Sequence, residues 1–255
     1  MKITLLGTGT SQGIPVIGCD CETCTSSDVK DIRMRCSVLI ESKDFNVIID
    51  VGPDFRAQML AHKVHRLDAV LLTHEHNDHV IGLDDIRPLN FKHKMLMPLY
   101  GLQRVIDDIK VKFAYVFEDG GYPGKPRVIC HPIYKGEVLR FGSELVVEAL
   151  AVKHGSLDIL GYRVGDFTYI TDASYLSEDT YARLVGLKVL VLNALQYRPH
   201  YSHFTVDQAI AVAQRIGAEH TYFTHLSHYL PSHSSFAATL PVGISPAYDG
   251  LQFLM

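Results

Sequence analysis

Leu71-Leu72-Thr73-His74-Glu75-His76-Asn77-Asp78-His79 decides how this chain is read. The run before it, Asp68-Ala69-Val70-Leu71-Leu72, has the apolar composition of a strand. Four side chains able to bind metal then follow within six residues, spaced H-x-H-x-D-H. His74 and His76 are two apart, so in extended backbone they point to the same side. Asp78 and His79 are adjacent and would diverge in a strand. At the turn into a helix they can instead converge on a second ion beside the first. A hard carboxylate with imidazoles suits Zn²⁺, Mn²⁺ or Fe²⁺. The strict spacing and the apolar lead-in set this apart from a polar loop with scattered histidines.

The chain has 255 residues, 47% hydrophobic and 20% charged. That is enough to bury a sizeable core. With no repeat, low-complexity stretch or linker, residues 1–255 read as one domain. A net charge of −4 with neutral histidines offers no basic field to long nucleic acid. No apolar run reaches the length of a membrane span. The N-terminus opens directly on a strand, Lys2–Leu6, without a signal-peptide core. A cytoplasmic protein is therefore expected, with no membrane partner. A homodimer stays open at this level.

Three of the five cysteines form Cys19-x-Cys21-x-x-Cys24. In a reducing compartment such a cluster reads as metal-binding or redox rather than as a disulfide. Three thiolates leave a tetrahedral zinc one ligand short. Cys36 and Cys130 sit beside apolar residues and read as plain buried thiols.

Along the chain, strands are expected at 2–10, 36–41 and 45–50, then a helix from Pro53 to His62. The 84–98 segment reads as irregular and Gly101–Lys112 as an amphipathic helix. The Gly- and Pro-rich 117–136 segment reads as a loop, a candidate lid. Strands follow at 144–152, 160–164, 167–171, 187–192 and 221–224. A helix capped by Thr205 covers 205–216, and 247–255 reads as a closing strand element. Several strands, then a helix, in each half argue for two packed sheets with helices outside. Three further donors stand just after apolar strands: His154, Asp172 and His225. Each alone could equally be a strand-end residue facing water.

Together with H-x-H-x-D-H, these positions resemble the metallo-β-lactamase superfamily over nearly the whole chain. The resemblance includes the first strand with its Gly7-Thr8-Gly9-Thr10 turn, and Ile49-Asp50-Val51-Gly52. It implies an α/β fold, the αβ/βα sandwich of two mixed β-sheets flanked by helices. It implies His74, His76 and His154 at one metal, Asp78, His79 and His225 at another, and Asp172 bridging both. Two divalent ions, Zn²⁺ or Mn²⁺, would there activate water and clamp substrate oxygens. Asp78 thereby joins the catalytic apparatus. Relatives that reduce oxygen at a di-iron centre carry Glu where this chain has His76, so hydrolysis is favoured.

The cysteine loop, 11–35, resembles more narrowly the phosphodiesterases of the carbon–phosphorus lyase pathway, which open 5-phosphoribosyl 1,2-cyclic phosphate. That resemblance implies a separate structural Zn²⁺ on Cys19, Cys21, Cys24 and His228, with Cys36 and His233 as substitutes for His228. It also implies that His203 is catalytic and stabilises the departing oxygen, with His200 as its competitor. The expected function is two-metal hydrolysis of a small, cyclic phosphodiester substrate. One alternative is a tRNA 3′-processing endonuclease; the acidic chain and the short, mixed-charge 112–136 segment speak against it. Another is a lactone or thioester hydrolase, which shares the metals but not the cysteine loop. A non-catalytic metal or redox module has no need of an open centre with seven ligands. Arg33, Arg35 and Arg56 could meet phosphate, although a solvated surface role suits each.

Overall fold

The computed structural model describes residues 1–120 and 122–255. One sheet contains β1 (Lys2–Gly7), β2 (Ser37–Glu41), β3 (Asn46–Ile49), β4 (Ala69–Leu71), β5 (Met97–Gly101) and β6 (Val128–Pro132). The other contains β7 (Val138–Phe141), β8 (Leu145–His154), β9 (Leu157–Val164), β10 (Phe167–Ile170), β11 (Val189–Asn193), β12 (His220–Thr224) and β13 (Ile244–Pro246). The last strand, β14 (Gln252–Leu254), returns to the first sheet beside β1. Each sheet has an antiparallel part, β1–β3 or β7–β10, and a parallel part, β3–β6 or β10–β13.

The central strands of each sheet are buried on both faces, which is why they read as continuous apolar runs. Val38, Ile40, Val47, Ile49, Ala69 and Leu71 face the other sheet, where they meet Leu160, Tyr162, Phe167 and Tyr169. The alternate residues Leu39, Ile48, Val70 and Leu72 face outward onto helices. A period of two thus fills two layers at once. The helices on that side are α1 (Phe55–Ala61), α2 (Asn77–Val80), α3 (Arg87–His93), α4 (Gln103–Lys112) and α5 (Ala114–Phe117). The other sheet is covered by α6 (Glu178–Ala182), α7 (Val206–Ile216) and α8 (His233–Thr239). Thr205 caps α7 in a reciprocal capping box with Gln208.

Several expectations need correction. The 84–98 segment is ordered: a 3-10 turn over Ile81–Ile86, then α3, then the start of β5. Gly101 ends β5, and the following helix begins at Gln103. The 117–136 segment contains β6, which pairs with β5, and Arg127 is held by Asn90 of α3. Val128–Pro132 is thus an edge of the sheet, while the described residues of 118–127 form the expected loop, with Gly121 lying outside the described residues. Arg33 is buried, not solvated: it donates to Thr8 Oγ1 at 2.8 Å and to the Ala247 carbonyl at 2.5 Å. Arg35 is taken up by Asp54.

Two glycines dock the histidine motif onto the exit of β3. Val51 N–H donates to the His79 carbonyl at 2.8 Å, and Gly82 N–H to the Val51 carbonyl at 2.9 Å. A Cβ on Gly52 would lie 2.0 Å from the Asp78 carbonyl oxygen. Backbone cannot retreat as a side-chain tip can. Gly52→Ala is therefore expected to lower unfolding free energy by about 2 kcal/mol or more, measured in urea. An unchanged midpoint would mean that the motif is not held by this contact.

Candidate metal centre

The centre forms where strand ends from both sheets meet. His74 follows β4, His154 is the last residue of β8, Asp172 lies just beyond β10, and His225 directly follows β12. Cross-sheet bonds set their relative height. Tyr162 Oη donates to the Leu72 carbonyl at 2.7 Å, and Leu160 N–H to the Thr73 carbonyl at 3.0 Å. Four sets of ligand atoms result, each within 4.8 Å of one another: His74, His76 and His154; Asp78, His79 and His225; His74, His79 and Asp172; and His154, Asp172 and His203. Asp172 lies 3.4 Å from His79 Nε2 through Oδ2 and 3.1 Å from His225 Nε2 through Oδ1, and shares a set with His74 of the other group. All seven residues singled out in the sequence come together.

The hydrogen bonds fix which nitrogens face inward. His154 Nδ1 lies 2.7 Å from the Asp172 carbonyl and 2.8 Å from the Ser202 carbonyl, so it must carry the proton. Thr73 Oγ1 donates to Asp50 Oδ2 at 2.7 Å, so toward His74 Nδ1, 3.0 Å away, it can only accept. His79 Nδ1 donates to the same Asp50 carboxylate at 2.7 Å. In all three rings Nε2 is turned inward: His154 and His74 present it as an acceptor, with His74 Nε2 3.0 Å from His76 Nδ1, and His79 points it at Asp78 and Asp172, where a cation would take the place of its proton. Orientation by outer carbonyls and carboxylates is how metal-binding histidines are usually held.

Charge is distributed accordingly. Burial alone would strip the proton from His79, but Asp78, Asp172 and Asp50 outweigh it and hold its pKa well above the ordinary value. Burial works against charge on Asp172 too, yet His225 and His79 keep its carboxyl well below the usual range. His74 is pushed well down by burial and by His79.

A cation fits this donor set. Buried His79 Nε2 and both ring nitrogens of His225 have no hydrogen-bond partner among the described residues. His79 Nε2 is 3.2 Å from Asp78 Oδ2, yet the pair is not aligned as a hydrogen bond. Donors sharing a tetrahedral ion at ordinary bond lengths stand ~3.3 Å apart. The donor atoms of Asp78, His79 and His225 thus converge on a shared point rather than bonding to each other.

The cysteine loop makes a separate group. Cys19, Cys21, Cys24 and His228 present ligand atoms within 4.8 Å of one another. His228 Nδ1 is 3.2 Å from Cys19 Sγ and 3.5 Å from Cys21 Sγ, against ~3.5 Å for sulfur and nitrogen on one tetrahedral zinc. Burial opposes ionisation of Cys21, but hydrogen bonds from the Cys24 backbone and His228 bring its pKa down to about 7. Neither substitute for His228 is in place. Cys36 is buried against the Gly9 carbonyl and Thr224, and His233 Nδ1 faces Arg33.

Of the two competing histidines, His203 is at the centre. It is 9% exposed, its Nδ1 lies 3.8 Å from Asp172 Oδ1, and its ring is 4.7 Å from both His154 and His225. His200 is exposed and stacks on Tyr201. Burial and His225 push His203 down to about 3. At neutral pH it is therefore an uncharged N–H donor, as in sites where a neutral imidazole polarises oxygen.

Sequence reasoning missed the residues behind the ligands. Asp50 has no exposed surface and accepts from Thr73 N–H, Thr73 Oγ1 and His79 Nδ1. Asn193, at the end of β11, clamps the peptide group after Asp172: its Oδ1 accepts from Ala173 N–H and its Nδ2 donates to the Ala173 carbonyl. Asp50 carried the signal used for Asp172, a carboxylate directly after a buried strand. Asp50, Asp172 and His225 also share a left-handed backbone, with φ of 63°, 59° and 55°. Non-glycine residues seldom adopt it, and it concentrates at functional sites.

A cavity of about 270 Å³ opens beside His203 and His225. A cavity of about 680 Å³ lies at the other end of the strands beside Met1, Leu145 and Val164, and shares no residue with the centre.

Fold and donor set together define a metal-dependent hydrolase. The sequence model of the Beta-lactamase superfamily domain matches residues 45–226, and the chain belongs to the metallo-β-lactamase superfamily. The crystal structure of a diphosphatase of the PhnP family is similar, with a TM-score of 0.92 and 39% identity over 100% of this chain and 97% of that one. Zn²⁺-bound PqqB from Methylobacterium extorquens, 20% identical and fully covered by the match, shares the fold with a TM-score of 0.81. A Porphyromonas gingivalis protein named octanoyltransferase is 40% identical over 258 residues; the match takes in all of this chain and 52% of that protein. The chain thus spans about half the length of that relative.

Two outcomes are expected. Asp50→Asn removes the charge that orients His79, and should weaken divalent-metal affinity about 10- to 100-fold in a chelator competition; equal affinity would leave Asp50 a purely structural residue. Cys21→Ser should remove zinc from the cysteine group and lower the melting temperature, while the folded, metal-loaded fraction keeps its turnover. Lost turnover at an unchanged melting temperature would place that group in the chemistry.

Proposed function

We propose that residues 1–255 form one hydrolase domain that cleaves a small phosphodiester, cyclic on a sugar. In this reading His74, His76 and His154 hold one divalent ion, Asp78, His79 and His225 the other, and Asp172 both. Zn²⁺ or Mn²⁺ suits these sites, and Cys19, Cys21, Cys24 and His228 suit a structural Zn²⁺. The observation that carries the reading is the donor set itself, two groups of three joined by Asp172, with His203 beside Asp172 and His154. Bound ions would supply Lewis acidity, lowering the pKa of water and neutralising charge on phosphoryl oxygens. Asp172 and Asp78, held ionised, keep the cations close together. His203 donates its N–H to the oxygen that departs as the P–O bond breaks. A phosphoryl group offers two non-bridging oxygens to a two-cation site, whereas a carbonyl ester offers one.

A diphosphate is the second reading, favoured by the 39% identical diphosphatase. In a disubstituted diphosphate each phosphorus carries one ester and one anhydride oxygen and, like a diester, two non-bridging oxygens, so the same centre suits both. The name of the octanoyltransferase comes from a protein about twice as long. Acyl transfer through a thiol finds no support at this centre, because Cys36 is buried and its pKa is pushed up to about 12. The working partner is a small molecule rather than a membrane or long RNA. Among the described residues no helix is long and apolar enough to cross a membrane, and the net charge is −4. A cytoplasmic setting suits the free thiols of the cysteine loop.

The test compares bis(p-nitrophenyl) phosphate, a ribose 1,2-cyclic phosphate, a dinucleoside diphosphate, a tRNA precursor and a homoserine lactone, with manganese and with zinc. Small diesters should rank first; preferred cleavage of the tRNA precursor, or of the lactone with inert diesters, would overturn the reading. Metal analysis of the same preparation should give about three divalent ions per chain. His203→Ala should lower kcat by ~10²–10⁴ with metal content intact. Loss of an ion instead would make His203 a ligand.

A further inference from the structure

Within the group of His74, His76 and His154, His76 is the exposed member. Its Nδ1 faces His74 Nε2 at 3.0 Å, and among the described residues no hydrogen bond holds its outer nitrogen. His74, His79 and His154 are each turned by an oxygen behind the ring; His76 lacks that support. Its place must come from its backbone, and Glu75, the residue before it, supplies the anchor. The Glu75 side chain is half-buried, and its Oε2 is buried with no hydrogen-bond partner among the described residues. A carboxylate so placed needs a cation beside it. Arg104 of α4 is that cation, its Nη1 paired with Glu75 Oε1. Lys112, at the other end of α4, donates to the Glu75 carbonyl, which belongs to the peptide bond into His76.

The helix has two faces. Val105, Ile106 and Ile109 turn into the core, while Arg104, Asp108 and Lys112 recur every four residues and share the other side. Asp108 pairs with Lys112 at 2.6 Å and steadies it. Arg104 also reaches beyond Glu75. Its Nη2 donates to the Asp158 carbonyl at 2.5 Å, and Asp158 faces Lys153 across the β8–β9 hairpin, next to the His154–Leu157 pair. The Asp158 carboxylate is held in turn by Lys135 at 2.8 Å and Lys153 at 2.7 Å. One guanidinium thus runs from the residue between His74 and His76, on one sheet, to the hairpin that carries His154, on the other. A planar fork with donors on two sides can do this; an ammonium on a single stem is far less suited to it. The other ligand group is held from a different side, by Asp50 on His79. Building on the two-ion reading, we infer that Glu75 and Arg104 are positioning residues for one of the two ions. They fix the 74–76 segment against His154, and so assemble the group of His74, His76 and His154 without acting on that of Asp78, His79 and His225.

Chelator competition on the manganese-loaded protein tests this without turnover, with electron paramagnetic resonance to tell a coupled pair of ions from an isolated one. Glu75→Gln and Arg104→Met should each weaken one ion of the centre about 10- to 100-fold and leave the other within about threefold. The signal of the coupled pair should give way to that of a single ion, and zinc in the cysteine group should stay. Arg104→Lys, which keeps the charge and loses the fork, should behave like Arg104→Met. The double variant should lose no more than Arg104→Met alone, because both changes break one connection. Lys112→Met, at the end of α4, should weaken the same ion to a smaller extent, and serves if either of the other changes disturbs folding. Equal weakening of both ions, losses that add in the double variant, or a lowered melting temperature with both ions bound as in the wild type would overturn the inference. Failure of the two-ion reading shows separately, as a wild-type centre that takes up a single ion.

Discussion

The Asp50 carboxylate is the contact on which the centre is registered. It is fully buried, and such a charge is tolerable only when its lone pairs are used. Thr73 and His79 use them, with three hydrogen bonds from two residues on either side of the His74–His76 pair. Asp50 leaves β3 and Thr73 leaves β4, so one carboxylate ties two neighbouring parallel strands together at their exits. The same bonds decide ring protonation: because Thr73 gives its proton to Asp50, it must accept from His74, and His74 then faces the centre with a lone pair. A single buried charge thereby sets strand spacing, helix docking and ligand chemistry together.

The two metal-binding groups are joined by the shortest of connections. His225-Leu226-Ser227-His228 places a residue of the catalytic group and a residue of the cysteine group three positions apart. Leu226 between them is buried, and its N–H donates to the Thr8 carbonyl at 3.0 Å. Gly9 bridges to both Arg35 and Leu226, which stitches the first strand's exit between the loop and β12. Behind this seam, buried Arg33 holds Thr8 and the Ala247 carbonyl while its other nitrogen faces His233. The cysteine loop is therefore part of the wall around the chemistry rather than an appendage.

Much of this was legible in the sequence, and the failures have physical causes. Strands buried on both faces leave unbroken apolar runs, so the strands flanking the site were readable. The ligands were readable because each stands where such a run stops. The 84–98 segment misled because its prolines read as breakers. Pro88 is in fact in the first turn of α3, where its missing N–H matters little, and Pro98 sits within β5. β6 was masked by the glycines and prolines just before it and by its half-exposed, irregular burial at the sheet edge. Arg33 looked solvated because charge is normally outside, and only the fold reveals the partners that compensate it. Asp50 and Asn193 touch ligands or their backbone, not the ions, and that kind of role leaves no spacing pattern.

Three of the residues at the centre hold a backbone shape that side chains other than glycine resist, at a strain of order 1–3 kcal/mol each. Asp50, Asp172 and His225 are bent this way where strands give way to the site, and the buried ring nitrogens of His225 have no hydrogen-bond partner among the described residues. The folded chain is thus least at ease in the place it uses most. Selection for heat resistance alone, applied to a library of variants, would tend to erase these positions first and return robust proteins with an empty centre. Thermal tolerance and competence are opposed here by backbone geometry, before any substrate is considered.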